Sequence, residues 1–285
     1  MRVIRENCPL CSSRSFDILL HSQQYSILQC KDCSFCFCNN YEQVNYSNRI
    51  DLNPESQWRS TSQMKEYVNK FSCYARIVKK YLKKPENWLD VGANLGFGVI
   101  AARSLGFQAS GIEPEHRIAE LAREKYAIDI KEGYLKDSLN KGINFQVISY
   151  YDVIEHIDEP LTELKQAYSI LKDDGFIVIK VPNSYREIKR LKDKKETELF
   201  APDHKNYFTY HTLKKLLETA HFYLVKCVLD EPFYKSLYLL SGHENKWKIR
   251  FFKYLLYPLV KTVQFYNSLS MKRCTELVFF AQKIL

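Results

Sequence analysis

The stretch Trp88-Leu89-Asp90-Val91-Gly92-Ala93-Asn94-Leu95-Gly96-Phe97-Gly98 decides the fold. An apolar run ends in an acid and enters a glycine-rich turn. Val99, Ile100, Ala102 and Leu105 then follow in a helical apolar pattern that stops at Gly106. This reads as a strand, a tight turn and a helix N-terminus. Glycine at 92 and 96 lets the backbone come close to a bound molecule, where a Cβ would collide. The helix N-terminus offers unpaired N–H groups. Gln108-Ala109-Ser110-Gly111-Ile112-Glu113 reads as a second strand ending in a carboxylate, 21 residues past Gly92. In nucleotide-binding βαβ units an acid at about this offset takes the ribose hydroxyls. A glycine turn alone is equally at home in a unit that binds nothing; Glu113 tips the balance toward a nucleotide. Asn94 breaks the G-x-G-x-x-G pattern, so a dinucleotide is disfavoured.

The alternation continues. Ile118, Leu121, Ala122 and Tyr126 mark an amphipathic helix, and Ile128-Asp129-Ile130 a short third strand leading to Glu132-Gly133-Tyr134-Leu135. Phe145 to Tyr150 is a fourth strand, Leu161 to Leu171 a helix, and Phe176 to Val181 a fifth strand, unbroken in its apolar character as buried parallel strands are. Strands alternating with helices specify an α/β doubly wound sheet.

Asp90-Val91-Gly92-Ala93-Asn94-Leu95-Gly96 has the form acid-x-G-x-x-x-G and resembles the first motif of the class I S-adenosylmethionine (SAM)-dependent methyltransferases. Asp152-Val153-Ile154-Glu155-His156-Ile157-Asp158-Glu159-Pro160 resembles the D-x-x-E-H-x-x-x-P stretch of many small-substrate members. His204-Lys205-Asn206-Tyr207-Phe208-Thr209 is similar to an H-x-x-Y-F-T segment before a T-L-x-x-L-L helix. The likeness runs over 88–231 and again over 276–283. It implies a seven-stranded Rossmann-like methyltransferase sheet, with Phe222–Val228 as the sixth strand and Glu276–Ala281 as an antiparallel seventh. It implies a SAM site built from Asp90, Gly92, Ala93, Asn94, Gly96, Glu113 and Pro114, with Tyr134 and Leu135 flanking the adenine and Tyr150 and Tyr151 beside the methionine part. Glu155 and His156 would lie close to the reacting methyl, and His156 and His204 are the candidate bases, since imidazole titrates near neutrality. The plainer alternatives are that Tyr134 and Leu135 are half-buried loop residues, that His156 caps a helix and that His204 closes a loop.

Six of nine cysteines lie in the first 38 residues. Cys8-Pro9-Leu10-Cys11 and Cys30-Lys31-Asp32-Cys33 are two C-x-x-C knuckles at zinc-ribbon spacing. Four thiolates fill a tetrahedron and leave no open position, so the expected zinc is structural. Cys36 and Cys38 read as small apolar residues on a strand, with a redox pair or alternative ligands as the other readings. The expected organisation is a zinc ribbon at 1–45, a linker and covering helix at 46–86 (the helix at about 62–83, over the mouth of the next domain), and a methyltransferase domain at 87–285 with an insertion at 243–272.

The net charge is +9, no secretory leader opens the sequence, and no run approaches the roughly 20 apolar residues of a membrane span. A cytoplasmic protein is expected. Phe252, Leu255, Leu256, Leu259, Val263 and Tyr266 share a helical face flanked by Arg250, Lys253 and Lys261. This basic amphipathic pattern over 246–266 suits packing against protein, or contact with the inner face of a membrane. An N/D-P-P-Y/F motif after the fourth strand and a Pro-Cys nucleophile are both absent, which argues against amino- and cytosine-5 methylation of nucleic acid. The leading expectation is methyl transfer to an oxygen or carbon of a small molecule or glycan intermediate. The alternatives are an RNA methyltransferase using the ribbon and the basic surface, and a SAM-binding module without chemistry. The oligomeric state is not legible.

Overall fold

Trp88, Leu89, Asp90 and Val91 are all buried, as a strand covered on both faces must be. The computed structural model describes residues 2–42, 61–139, 142–194, 203–230 and 274–284. Short strands come first: β1 (Arg2–Val3), β2 (Phe16–His21), β3 (Ser26–Cys30), β4 (Cys36–Asn39) and β5 (Tyr41–Glu42). Helix α1 (Thr61–Lys79) follows, then β6 (Asn87–Val91), α2 (Phe97–Arg103), β7 (Gln108–Glu113), α3 (His116–Tyr126), β8 (Ile130–Glu132), β9 (Phe145–Tyr151), α4 (Pro160–Ile170) and β10 (Leu171–Pro182). The described chain closes with α5 (Tyr185–Lys192), β11 (Asn206–Tyr207), α6 (Tyr210–Thr219), β12 (Phe222–Asp230) and β13 (Glu276–Lys283).

The main sheet has seven strands in the order β12-β13-β10-β9-β6-β7-β8, with β13 antiparallel to both neighbours and the pairs from β10 to β8 parallel. The chain leaves β6 toward β7 and β8 and then returns to β9 on the other side. Ligands bind outside the carboxyl ends of strands at such a reversal. One face carries α1, α2 and α3, through Tyr74, Val78, Val99, Ala102, Ala119 and Ala122. The other carries α4 and α6, through Leu164, Ala167, Leu213 and Leu216.

Local chemistry fixes the ends of these elements. The Glu115 carboxylate accepts the Arg117 and Ile118 N–H groups and starts α3, and Thr209 caps α6 through Thr212, each satisfying otherwise orphaned donors. Three expectations shift. The third strand pairs over 130–132 instead of 128–130, because Ala127 closes α3 in the left-handed region and Ile128 is spent beneath the Gly96 turn. The covering helix ends at Lys79, and it lies against the sheet face and α2, with Phe71 stacked on Tyr151 at 4.4 Å and Tyr67 facing Phe97 at 6.2 Å. It therefore packs on the core, where its aromatic stripe finds an apolar surface, and none of its described residues lines the cleft.

The N-terminal module is stitched into the larger body. β2, β3 and β4 form an antiparallel sheet whose fourth strand, β11, comes from residues 206–207. Leu10, Leu28, Phe35 and Phe37 join the main core, where Phe35 meets Phe208 at 5.2 Å. On the opposite side Ile27, Cys36, Cys38 and Tyr41 pack with Ile188 and Leu191 of α5. The basic residues Arg186, Lys189, Arg190 and Lys192 are thus the exposed face of the helix that clasps the ribbon. Arg5 is buried and acts as a rivet. Its guanidinium donates to the carbonyls of Lys205 (3.1 Å), Ile157 (3.4 Å) and Asp158, and to the Asn206 side chain at 3.1 Å. No helix among the described residues is long and apolar enough to cross a membrane. Most of the expected linker (43–60) and the 243–272 insertion with its basic amphipathic pattern lie outside the described residues.

Candidate active site and cofactor cleft

A cleft of about 790 Å³ opens at the carboxyl ends of β6, β7 and β9. Gly92, Asn94, Glu113, Pro114, Tyr134 and Leu135 line one end. Gly92 has φ +66, and a Cβ there would come within 2.6 Å of the Val153 side chain, so only glycine keeps both the turn and the cleft wall. The Glu113 carboxylate, 8% exposed, accepts the backbone N–H of Asn94 at 2.8 Å and of Glu115 at 3.0 Å. These two bonds use part of its acceptor capacity and hold it at the cleft wall, where remaining lone pairs suit a pair of hydroxyls. Burial pushes its carboxyl up to about 7 against the pull of those N–H groups. Tyr134 is exposed and Leu135 buried, and they meet in one turn of 3₁₀ helix.

Asp90, Ala93 and Gly96 support this end from behind. Trp88 Nε1 donates to the Ser149 hydroxyl at 2.8 Å, and that hydroxyl donates to Asp90 at 2.6 Å. A Cβ on Gly98 would strike the Asp90 carboxylate, which is wedged beneath the first turn of α2. Burial, and secondarily the Glu113 charge, lift Asp90 to about 7. Ala93 donates its N–H to Ile112 at 2.9 Å, tying the turn to β7, and Gly96 caps α2.

The two tyrosines expected beside the methionine part lie elsewhere. Tyr150 is fully buried with Ile148 and Leu164, and Tyr151 stacks on Phe71 beneath α1. β9 runs through both, so their side chains stand on opposite faces of the sheet and do not line the cleft. Asp152 and Val153, just past the strand, take the wall position. Tyr150 acts at one remove, donating its hydroxyl to Glu163 of α4 at 3.1 Å. Glu163 lines the cleft, and burial pushes its carboxyl up to about 7. Sequence reasoning missed Glu163; its only signal was its place in the first turn of a helix entering from the cleft edge.

The other end of the cleft holds His156, Asp158, Asp203 and Lys205. His156 donates Nδ1–H to the Asp203 carbonyl at 2.8 Å, and its ring meets His204 edge-on with centroids 4.7 Å apart. Burial lowers His156 below its ordinary value and takes His204 down to about 4, so both rings are neutral at pH 7. Glu155 is 1% exposed, and neither carboxyl oxygen has a hydrogen-bond partner among the described residues. Desolvation raises its carboxyl well above the ordinary range. The ribbon braces this end, with Tyr41 donating to Asp158 at 2.5 Å and Lys205 paired with the same oxygen at 2.8 Å.

Residues 59–226, well over half of the chain, match the family of methyltransferase domains. The chain belongs to the class I SAM-dependent methyltransferases. No curated relative matches in sequence. Among solved structures, the CcbJ methyltransferase of Streptomyces caelestis is similar at TM-score 0.55 and 13% identity, covering 86% of this chain and 100% of that one. The 1,6-didemethyltoxoflavin-N1-methyltransferase of Burkholderia thailandensis, solved with 1,6-didemethyltoxoflavin and S-adenosylhomocysteine, is similar at TM-score 0.54 and 15% identity, covering 94% and 100%. At such identities the likeness is one of fold.

Away from the cleft, the sulfurs of Cys8, Cys11, Cys30 and Cys33 converge within 4.8 Å of one another, with Cys8 to Cys33 and Cys11 to Cys30 both at 3.5 Å. Four thiol sulfurs on two turns match the donor set of a closed structural zinc site. Cys36 and Cys38 are fully buried and outside that cluster, and burial pushes both thiols up to about 12. They pack as small apolar side chains.

Proposed function

We propose that this methyltransferase moves a methyl group from SAM to an oxygen or carbon of a small molecule or glycan intermediate. One observation carries the reading: a single cleft has a backbone-anchored carboxylate, Glu113, at one end and His156, grouped with Glu155 and His204 behind it, at the other. The glycine turn and Glu113 fit the nucleoside. Gly92 keeps the tight turn with Val153 in place on the cleft wall, Glu113 accepts from the ribose hydroxyls, and Tyr134 with Leu135 flanks the adenine. Asp90 and Tyr150 act as supports, Asp90 through the turn and Tyr150 through Glu163.

Bound SAM supplies an electrophilic methyl group on a sulfonium; transfer breaks the carbon–sulfur bond, makes the bond to the acceptor and leaves a neutral thioether. The chain's contribution is to hold acceptor and methyl in line, which supplies much of the rate, and to receive the acceptor's proton. His156 is suited to that proton: its Nδ1–H is committed to Asp203, so the neutral ring offers a lone pair at Nε2. The zinc ribbon, with a structural ion on Cys8, Cys11, Cys30 and Cys33, shapes the acceptor end through Arg5, Tyr41 and Asp158.

The test is incubation with methyl-labelled SAM and fractionated cell extract. Label in a small-molecule or glycan fraction supports the proposal. Label in RNA transfers the reading to the basic face of α5, and SAM binding with no labelled product points to a module without chemistry.

A further inference from the structure

We infer that Glu155, His156 and His204 form a second metal site, one that takes a divalent first-row transition ion at the acceptor end of the cleft. One ligand atom from each of the three lies within 4.8 Å of the others, the separation that a small shift closes around an ion about 2.1 Å from each. Two further features point to an ion. Glu155 is a fully desolvated carboxyl whose two oxygens have no hydrogen-bond partner among the described residues. A buried acid left so is costly, and an absent cation is a standard reason for one. His156 is held in one tautomer by its Nδ1–H to the Asp203 carbonyl, 2.8 Å away, which is how ligating histidines are normally fixed.

The neighbouring cation does not serve instead. Lys180 is bound to both oxygens of Asp152 at 2.6 Å and to Glu276 at 2.9 Å. Two further contacts stiffen the turn that carries Glu155 and His156. The Lys205 N–H donates to the Glu155 carbonyl at 2.8 Å, and the Asn206 side chain donates to the carbonyls of Ile154 and Ile157 at 3.2 and 2.7 Å. Two imidazoles and one carboxylate suit zinc, cobalt, iron or manganese and leave coordination positions open. His156 lines the cleft, so those positions face it. With the ion bound, His156 Nε2 is a ligand and no longer a base; an acceptor presenting oxygen donors is the ligand class such an ion would draw in, and the metal would acidify its proton for release to water. That last role rests on the methyl-transfer reading; the metal site does not.

The test is titration of the full-length protein, zinc retained in its cysteine site, with Co²⁺ alone. One equivalent should bind with visible d–d absorption and no thiolate-to-cobalt charge transfer. Glu155→Gln and His204→Asn should each weaken that binding by at least about tenfold, while calorimetry with S-adenosylhomocysteine and circular dichroism stay as in the wild type. Should a variant fail those folding controls, the wild type still decides: its cobalt form should show a paramagnetically shifted, exchangeable imidazole N–H from His156. Cobalt that only displaces zinc from sulfur, variants that bind cobalt as tightly as wild type, or no shifted imidazole proton would overturn the inference. Failure of S-adenosylhomocysteine to bind the wild type would instead sink the methyl-transfer reading and leave the cobalt result readable.

Discussion

Replacing Glu113 by Gln probes the cofactor end of the cleft with a change of one atom. The wild-type carboxylate accepts two backbone N–H groups and, in the proposed complex, two ribose hydroxyls. The amide substitutes a donor for one of the two acceptor oxygens. The Asn94 and Glu115 N–H groups go to different oxygens, so whichever way the amide turns its NH₂ faces one of them and takes the place of an acceptor for one ribose hydroxyl. At least one hydrogen bond to a charged group is lost, about 2 kcal/mol, which is about a 30-fold loss of affinity. The assay is calorimetry with S-adenosylhomocysteine on wild type, Glu113→Gln and the exposed control Glu124→Gln. The control should bind as wild type does. If Glu113→Gln stays folded and binds within about threefold of wild type, well inside the cost of one such bond, the carboxylate does not hold the nucleoside.

The same group has a pH signature. Its carboxyl titrates near 7 in the empty cleft and the nucleoside needs it ionised, so affinity should rise about tenfold between pH 6 and pH 8, and Glu113→Gln should flatten that rise. Stability runs the other way: Asp90 and Glu113 have folded values raised to about 7, so the folded chain keeps protons that the unfolded chain releases. Their contribution is present below about pH 4 and is lost as pH rises to about 7, which thermal midpoints of the ligand-free protein across that window should record, with a smaller decline in Glu113→Gln. Arg5→Ala leaves the part-buried Asp158 carbonyl without its guanidinium donor, while the Lys205 carbonyl keeps the Cys38 N–H, and should cost about 2 kcal/mol, read as a lower urea midpoint at unchanged slope. Stripping the proposed zinc with a chelator should expose the backbone amides of Asn206 and Tyr207 to hydrogen exchange along with those of β4, since among the described residues β11 pairs only with that strand. Gly92→Ala should weaken S-adenosylhomocysteine binding, and Val153→Ala should recover part of the loss by removing the atoms that the new Cβ meets.

The glycine turn and Glu113 were legible because strand, turn and acid follow one another at spacings fixed by local geometry. The knuckles were legible because metal geometry dictates C-x-x-C. Tyr150 and Tyr151 were misplaced because β9 is buried on both faces. No alternation of polar and apolar residues showed that the strand runs to Tyr151, nor where the wall begins. β11 is two residues long, too short for any periodicity, and its partner lies far away in sequence at Cys36–Phe37. The tie between ribbon and acceptor end was for that reason invisible. Arg5 looked like an ordinary basic residue near the N-terminus. Only the fold brings the carbonyls of Ile157, Asp158 and Lys205 to it.

A crystal structure with S-adenosylhomocysteine bound is the most direct measurement. The account predicts the ribose hydroxyls on the Glu113 carboxylate, the adenine at Tyr134 and Leu135, and the sulfur turned toward His156. Density for the nucleoside anywhere else, or a ribose that leaves Glu113 untouched, would contradict it.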